Sequence, residues 1–432
     1  MANTKVSAFT AASALGGTET VGGVQGGANR KITIDQIKTY CRSRAEVWTP
    51  AITTSAATSC LQSNHIVRTA AGIWYLFYID AGTSDVYYVK SSNYGVSWAV
   101  PVLVHTGTGA GLAVWFDKWT PADSGTAIHL AYTDSGSHDV FYRRLDTSGD
   151  SLGTALTVFD GASLVAGNDS CLSITKAVGG LIHIAFDIDG GTEVGHYKSD
   201  AATPTSFASA DTVGAFHEAV STDYYMLFPA NLVTTEDIWA VFWDRSANEI
   251  TIKTFDDSLS SWATIAESSA ITGMTDVTSG TASPQFAGAI RNTDGHLMLV
   301  AWTNADTASA TLRFWDVTDG ATIAAPITIV TSTDDQAMCG INVDTDANAL
   351  TVFYAGKTDG SETFASALNV YLKQSTDNGA TWGSETQVSL AARAIANLMC
   401  SLESTSGEYA IAWFGNVAAG GPAREYVVSA YK

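Results

Sequence analysis

The chain has little cysteine, little proline and little positive charge. Its 432 residues include 5 cysteines and 8 prolines, and 22 Lys+Arg stand against 43 Asp+Glu, a formal net charge of −21. A surface of that sign repels phosphate backbones, so nucleic acid is excluded as a partner. No apolar run approaches the ~18 residues that cross a bilayer, so no helical membrane span is expected. The start, Met1-Ala2-Asn3-Thr4-Lys5, lacks the charged-then-apolar order of a signal peptide. The expectation is synthesis in a cytoplasm, with any exit from the cell made as part of a larger particle. An odd cysteine count without CxxC spacing argues against a disulfide framework and against a zinc site. Cys60, Cys171, Cys339 and Cys400 instead stand 9 to 14 residues before strongly apolar segments, where small buried residues on crowded inner strands are expected. Phosphate-loop, zinc and Ser-His-Asp patterns are also missing.

What is present is repetition. Seven apolar cores, Trp74–Tyr78, Ile128–Tyr132, Ile182–Phe186, Ile238–Phe242, Leu297–Ala301, Leu350–Tyr354 and Tyr409–Trp413, recur about 53 to 60 residues apart. Each is followed by an acidic or glycine-bearing turn and a second apolar strand. That period, with 38 glycines, predicts an all-β propeller of seven four-stranded blades. In each unit an innermost strand precedes the core, and the fourth strand is outermost, as in Trp98–Val104. The seventh unit stops after its third strand, Glu425–Tyr431. Trp48-Thr49-Pro50-Ala51-Ile52-Thr53 shares the Trp-x-x-Pro-x-aliphatic pattern of residues 98–103 and is expected to supply the missing outer strand. Pro50 and Pro101 both suit an edge, where a missing N–H costs nothing. Residues 46–432 are therefore expected to form the propeller. Residues 1–45, with Gly16-Gly17, Gly22-Gly23 and Gly26-Gly27, have too little apolar content for a core and read as an arm that orders against something else. Thr33–Tyr40 reads as the start of a short helix within it.

Two turns carry a motif. Ser91, Asn93, Gly95 and Trp98 in blade 1 match Ser375, Asp377, Gly379 and Trp382 in blade 6, and Asp257 to Trp262 reads as a third, degraded copy in which Leu259 replaces the glycine. The serine and the Asn or Asp cap turn amides, the glycine allows a left-handed backbone, and the tryptophan plugs the gap between sheets. Both complete copies resemble the Asp-box (S-x-D-x-G-x-T-W) of sialidase-like propellers. The resemblance implies the fold and a peripheral, structural role for the boxes. Sialidase chemistry does not follow from it. Those enzymes are six-bladed and use three arginines, an acid/base and a Tyr–Glu pair, whereas only Arg68 and Arg291 fall on expected innermost strands here and the Arg-Ile-Pro signature is missing.

The arm carries a second resemblance. Lys5-Val6-Ser7-Ala8-Phe9 through Leu15, Gly17-Thr18-Glu19, Gln25-Gly26-Gly27 and Arg30–Ile37 are similar to the opening segment of tailed-bacteriophage tail-fibre, tailspike and minor structural proteins, with Phe9-Thr10 in place of the common Leu-Pro. The match covers about a tenth of the chain. It implies a virion protein that docks to other virion proteins through residues 1–45, as a homo-oligomer in the particle, and carries a distal module for host attachment.

On a propeller the loops between second and third strands, and those entering the innermost strands, form the mouth. Here Asp80, Asp134, Asp187, Asp189 and Asp244 follow the strand cores, with Asn304 at the related place in blade 5. They read either as turn caps or as a ring of acceptors for sugar hydroxyls or a cation. Asp187-x-Asp189 and Asp344-x-Asp346-x-Asn348 have the alternation of a calcium loop without its distal glutamate, so no metal site or cofactor is assigned. Gly356–Leu368 and Gly415–Ala423 are the longest loops. Trp115, Trp119, Tyr224 and Tyr225 are aromatics for sugar stacking or for the core. No catalytic set is assigned. The expected function is binding of a host surface glycan, with a depolymerase using mouth carboxylates and a ligand-free decoration protein as the alternatives.

Overall fold

The computed structural model describes residues 20–25, 28–33, 45–52, 65–161 (except 81, 94 and 96), 172–188, 193–210, 224–230, 237–275 (except 246 and 265–270), 285–319, 322–345 (except 335 and 337), 349–362, 369–389, 395–404, 409–416 and 424–431. Among these the secondary structure is β apart from one 3-10 turn, Asp117–Trp119.

Six consecutive stretches each fold into one antiparallel blade. Blade 1 is Ile66–Arg68, Trp74–Ile79, Val86–Ser91 and Val102–His105. Blade 2 is Gly109–Phe116, Ala127–Asp134 and Asp139–Asp146, edged by Ser151–Leu152 and Leu156–Phe159. Blade 3 is Leu172–Lys176, Ile182–Ile188, Glu193–Ser199 and Phe207–Ser209. Blade 4 is Tyr224–Pro229, Ile238–Asp244 and Glu249–Asp256, edged by Ser261–Thr264 and Ile271–Thr272. Blade 5 is Phe286–Ile290, Leu297–Thr303 and Thr311–Asp319, edged by Thr322–Ile323 and Ile327–Thr331. Blade 6 is Cys339–Asp344, Ala349–Ala355, Val370–Ser375 and Thr386–Gln387. The repeat predicts seven blades of this kind, and six are built from continuous chain. The seventh copy lies in a terminal sheet made from both chain ends, Ile395–Cys400, Tyr409–Asn416, Arg424–Tyr431 and Ala45–Ile52. In this sheet Ala45–Ile52 pairs with the third strand, Arg424–Tyr431. The first strand of the terminal sheet adjoins blade 6, where Asn342 Nδ2 donates to the Ser401 carbonyl at 2.7 Å. Its second packs toward blade 1, where Met399 and Ala410 share a cluster with Ile66, Trp74 and Leu76.

The strand types differ in burial, which orders each blade from inside to outside. Second strands are buried on both faces, as in Trp74–Ile79 and Leu297–Thr303. Third strands alternate, as in Asp139–Asp146 and Glu249–Asp256. Outer strands are largely exposed. Each fully buried large apolar side chain contributes about 1.5–3 kcal/mol, so the second strands anchor the fold. Neighbouring blades are tied by a recurring contact. Lys90 on the third strand of blade 1 reaches Asp150 Oδ2 in the turn of blade 2 at 2.7 Å, and Lys198 of blade 3 bonds Asp257 of blade 4 in the same way.

Several expectations are corrected. Asp257–Trp262 is no box: Asp256 pairs with Ser261 across a tight turn, and the Asp257 carboxylate is taken by Lys198. The outer strand of blade 1 begins at Val102, not Trp98. Thr33 ends a strand rather than opening a helix, since Thr20–Gln25 and Ala28–Thr33 form a separate hairpin. Residues 34–40 lie outside the described residues. Trp115, Trp119 and Tyr225 are buried and only Tyr224 is half-buried. Cys339 and Cys400 are buried free thiols on innermost strands. Burial pushes both thiols up. Cys60 and Cys171 lie outside the described residues.

Candidate functional site

The loops between second and third strands all lie at one end of the sheets, the mouth. Among the described residues, Asp80, Asp134, Asp187, Asp244 and Asn304 stand at that end of blades 1 to 5, and the four carboxylates accept hydrogen bonds from protein donors. Asp80 Oδ1 accepts from the amides of Gly82 and Thr83 at 2.8 and 2.9 Å. Asp244 Oδ1 accepts from the Ala247 amide at 2.8 Å. Asp187 Oδ1 accepts from Tyr225 Oη of blade 4 at 3.0 Å. Asn304 has φ 51 and gives its N–H to the Gly273 carbonyl at 2.7 Å. Asp189, Asp346 and Asn348 lie outside the described residues, as do 363–368 and 417–423 of the two long loops.

Asp134 is the most elaborated of the set. Its Oδ1 accepts from Thr108 Oγ1 at 2.6 Å and the Gly136 amide at 2.8 Å, and its Oδ2 faces His105 Nε2 at 3.0 Å. Burial pushes this carboxyl up, but the hydrogen bonds from Thr108, His105 and the amides outweigh it, and the group stays well below the usual carboxylate range. Gly107 is required here, because a Cβ would stand 2.3 Å from Asp134 Oδ2. His105 itself packs against Tyr132 and Phe141, at ring separations of 5.0 and 5.1 Å.

Two further features of the mouth escape a reading by sequence alone. The Arg245 guanidinium lies over Tyr224 and Trp243, 5.5 and 5.9 Å from the ring centroids. In blade 6, Tyr354 and Tyr371 stack at 6.2 Å, with Tyr354 Oη donating to Glu385 Oε2 at 2.7 Å and Tyr371 Oη to Glu362 Oε1 at 3.5 Å. Burial, and then the glutamates, push both phenols far up, so they act as donors. The only advance signal for these residues was their position: Arg245 directly follows Asp244, and Glu362 sits inside the long loop.

The opposite end holds a buried ionic network on the 3-10 turn. Asp117 Oδ1 accepts from Lys176 Nζ at 2.6 Å and His129 Nε2 at 2.8 Å, and Oδ2 accepts from the Ala127 amide at 2.7 Å. Lys176 also meets Asp123 at 2.6 Å. His129 Nδ1 faces Tyr142 Oη at 2.7 Å. Burial pushes the His129 imidazole down; with Nε2 facing the Asp117 carboxylate, the tautomer that satisfies both contacts carries its proton on Nε2 and accepts from Tyr142 Oη at Nδ1. Asn292 of blade 5 donates to the Lys118 carbonyl at 3.1 Å, so this loop reaches across to another blade at the far end. Arg291 belongs to the same end, bound to Asp294 and Asp316. It faces no mouth residue. Arg68 closes the innermost strand of blade 1. Among the described residues no group of three or more His, Cys, Asp or Glu is placed to hold a metal ion.

The two turns with the repeated motif share one hydrogen-bond pattern. In blade 1, Ser91 Oγ receives the Gly95 amide at 2.9 Å and Asn93 Oδ1 receives the Ser97 amide at 2.9 Å. In blade 6, Ser375 Oγ receives the Gly379 amide at 2.8 Å and Asp377 Oδ1 the Thr381 amide at 2.9 Å. The motif tryptophans are partly exposed. Trp382 packs on Phe314 of blade 5 at 5.7 Å, and Trp98 lies against the cluster shared by blade 1 and the terminal sheet.

No family model matches the chain, and no curated protein matches it. Among solved structures it is similar to a PL25 ulvan lyase, with a TM-score of 0.52 and 13% identity over 89% of this chain and 96% of that one. The same lyase bound to a GlcA(1-4)Rha3S ligand gives a TM-score of 0.50 at 13% identity over 89% and 96%. A mutant NanB sialidase from Streptococcus pneumoniae gives 0.44 at 10% identity over 93% and 73%. At such identities the likeness bears on the fold. Together with the sheet topology, the likeness to the lyase makes the protein an all-β molecule of β-propeller arrangement.

Proposed function

We propose that this chain is a tailed-bacteriophage virion structural protein of the tail-fibre or receptor-binding type. Residues 1–45 are its attachment arm. Residues 46–432 are a seven-bladed propeller whose last blade is completed by the strand 45–52 and whose mouth meets a host surface glycan. The pairing of Ala45 with Ala430 and Ile52 with Glu425 supports the closure. So does the skipped register between Trp48 and Ile52, where Pro50 has no N–H to donate. The shared turn geometry at Ser91 and Ser375 supports reading both as Asp-boxes. The arm's sequence resemblance supports the virion role.

The observation that carries the glycan reading is the mouth. One Asp or Asn stands at the same end of each of blades 1 to 5, and Arg245 is stacked over Tyr224 and Trp243. Hydrogen-bond acceptors beside a flat aromatic and guanidinium surface suit a polyhydroxylated ligand. The paired glutamates on Tyr354 and Tyr371 favour a second reading, a glycan depolymerase. Incubating the purified protein with host surface polysaccharide separates the two. Binding without change in polymer length supports the adhesin, shortening supports the depolymerase, and no binding sinks both in favour of a ligand-free decoration protein.

A further inference from the structure

Asn378-Gly379, in the motif turn of blade 6, is the one Asn-Gly pair in the chain. An asparagine followed by glycine is the pair most open to self-modification, because glycine has no Cβ to hinder the approach of its own backbone nitrogen to the asparagine side chain. The reaction needs nothing but water. The Gly379 nitrogen gives up its proton and attacks Asn378 Cγ. The Cγ–Nδ2 bond breaks, and Nδ2 leaves with that proton as ammonia. Water then opens the five-membered imide at either carbonyl, which leaves an aspartyl or an isoaspartyl residue at position 378.

The structure holds the two members of this pair in opposite states. Asn378 is exposed, with φ 57, whereas Gly379 is buried, with φ 87. The Gly379 N–H is donated to Ser375 Oγ at 2.8 Å, and Ser375 is itself buried. That hydroxyl is oriented by its own bond to Asp377 Oδ1 at 2.7 Å, an oxygen that also accepts the Thr381 amide at 2.9 Å. Phe314 of blade 5 closes the side of the glycine where a Cβ would stand, 2.3 Å from such an atom. A nitrogen whose proton sits in a buried hydrogen bond must lose that bond before it can attack. In the copy of the motif in blade 1, Tyr94 takes the place of Asn378 in the sequence, so the matching bond from the Gly95 amide to Ser91 Oγ guards no side-chain amide.

We propose that Asn378–Gly379 is a deamidation site held shut by the Ser375 hydroxyl, so that the turn is modified only when this hydrogen bond opens. The inference does not depend on what the mouth binds. Modification has a structural consequence. An isoaspartyl residue adds one atom to the backbone of a turn that has no room on its Phe314 side. The packing of Trp382 on Phe314, at 5.7 Å, is then disturbed, and with it a contact between blades 5 and 6.

The test incubates the full chain in mildly alkaline buffer and follows the peptide containing Asn378 by mass spectrometry. Folded wild type should deamidate there at least about tenfold more slowly than the same chain unfolded in urea, since the site must first open. Ser375→Ala should raise the folded rate about tenfold, the change in opening expected from one lost buried hydrogen bond. If Ser375→Ala does not fold, wild type decides alone. In urea below the unfolding transition its deamidation rate should rise in step with hydrogen exchange at the Gly379 amide, because both require the same bond to break. The deamidated fraction, separated by its added negative charge, should melt below the unmodified protein. Equal rates in the folded and unfolded chain overturn the proposal. So does a folded Ser375→Ala that deamidates at the wild-type rate, or deamidation that proceeds without regard to Gly379 exchange. An unchanged melting temperature in the deamidated fraction overturns the structural consequence.

Discussion

Replacing Asp117 by alanine should be among the most destabilising single changes in the molecule. Asp117 is 3% exposed and joins Lys176, His129 and the Ala127 amide, at 2.6, 2.8 and 2.7 Å. Burial pushes its carboxyl up, but the bonds from His129 and Lys176 and the amide bond win, and it is held well below its ordinary value. Asp117→Ala strips the amide and the imidazole of their acceptor. Lys176 keeps Asp123 alone, at 2.6 Å. Removing one member of a buried ion pair costs about 3–5 kcal/mol. Asp117→Asn, which keeps one acceptor oxygen, should fall between wild type and alanine. Guanidinium denaturation at neutral pH reads the loss as a lower midpoint at constant slope. The pH dependence follows from the sign of the shift. A carboxyl depressed on folding contributes fully above its unfolded value of about 3.9 and loses that contribution as pH falls toward its folded value. The gap between wild type and Asp117→Ala should be constant down to about pH 4 and then narrow. A cost below about 1 kcal/mol, the range of an exposed ion pair, would refute the idea that this network holds the far end. So would a gap that ignores acid.

His65 gives an independent pH window. Burial lowers it to about 4 despite its bond to the Leu112 carbonyl. A histidine depressed on folding stabilises above its unfolded value of about 6.5, so stability should fall by about 3 kcal/mol between pH 6.5 and 4, and His65→Gln should flatten that slope in denaturation curves. Gly379→Ala should destabilise more than Asp377→Ala, because Gly379 has φ 87 and an added Cβ would meet Phe314 at 2.3 Å, whereas losing the Asp377 cap costs about 1 kcal/mol. Thermal melts of the two variants rank them, and the reverse order would show that the turn relaxes. If the mouth binds glycan, Arg245→Ala should weaken polysaccharide binding about tenfold, the loss of a cation–π-held contact worth about 1–2 kcal/mol, with an unchanged melting temperature. Equal binding would remove Arg245 from the site.

The strands were legible because their cause is local. Apolar cores such as Ile182–Phe186 and Leu297–Ala301 recur with turn residues between them, and each became the buried second strand of its sheet. The six continuous blades followed from the same period. What sequence could not supply was anything that depends on partners distant along the chain. His129 and His183 occupy the same place in successive cores, yet one meets Asp117 and Tyr142 and the other stacks on His196. Lys176 finds Asp117 across 59 residues. The degraded box failed for a simpler reason: without the glycine, Asp256 closes a shorter turn and frees Asp257 for Lys198. Spacing marks the acids that follow the second strands, but it does not distinguish a capped turn from a ligand acceptor.

The proposed ring stands or falls on the strand 45–52, and two truncations measured by differential scanning calorimetry test it most directly. Removal of residues 1–44 should leave the melting temperature of the propeller unchanged. Removal of residues 1–52 should lower it sharply or prevent folding, because the sheet containing Arg424–Tyr431 then loses its outer strand. Equal melting temperatures for the two truncations would contradict the closure and, with it, the mouth that depends on a continuous ring.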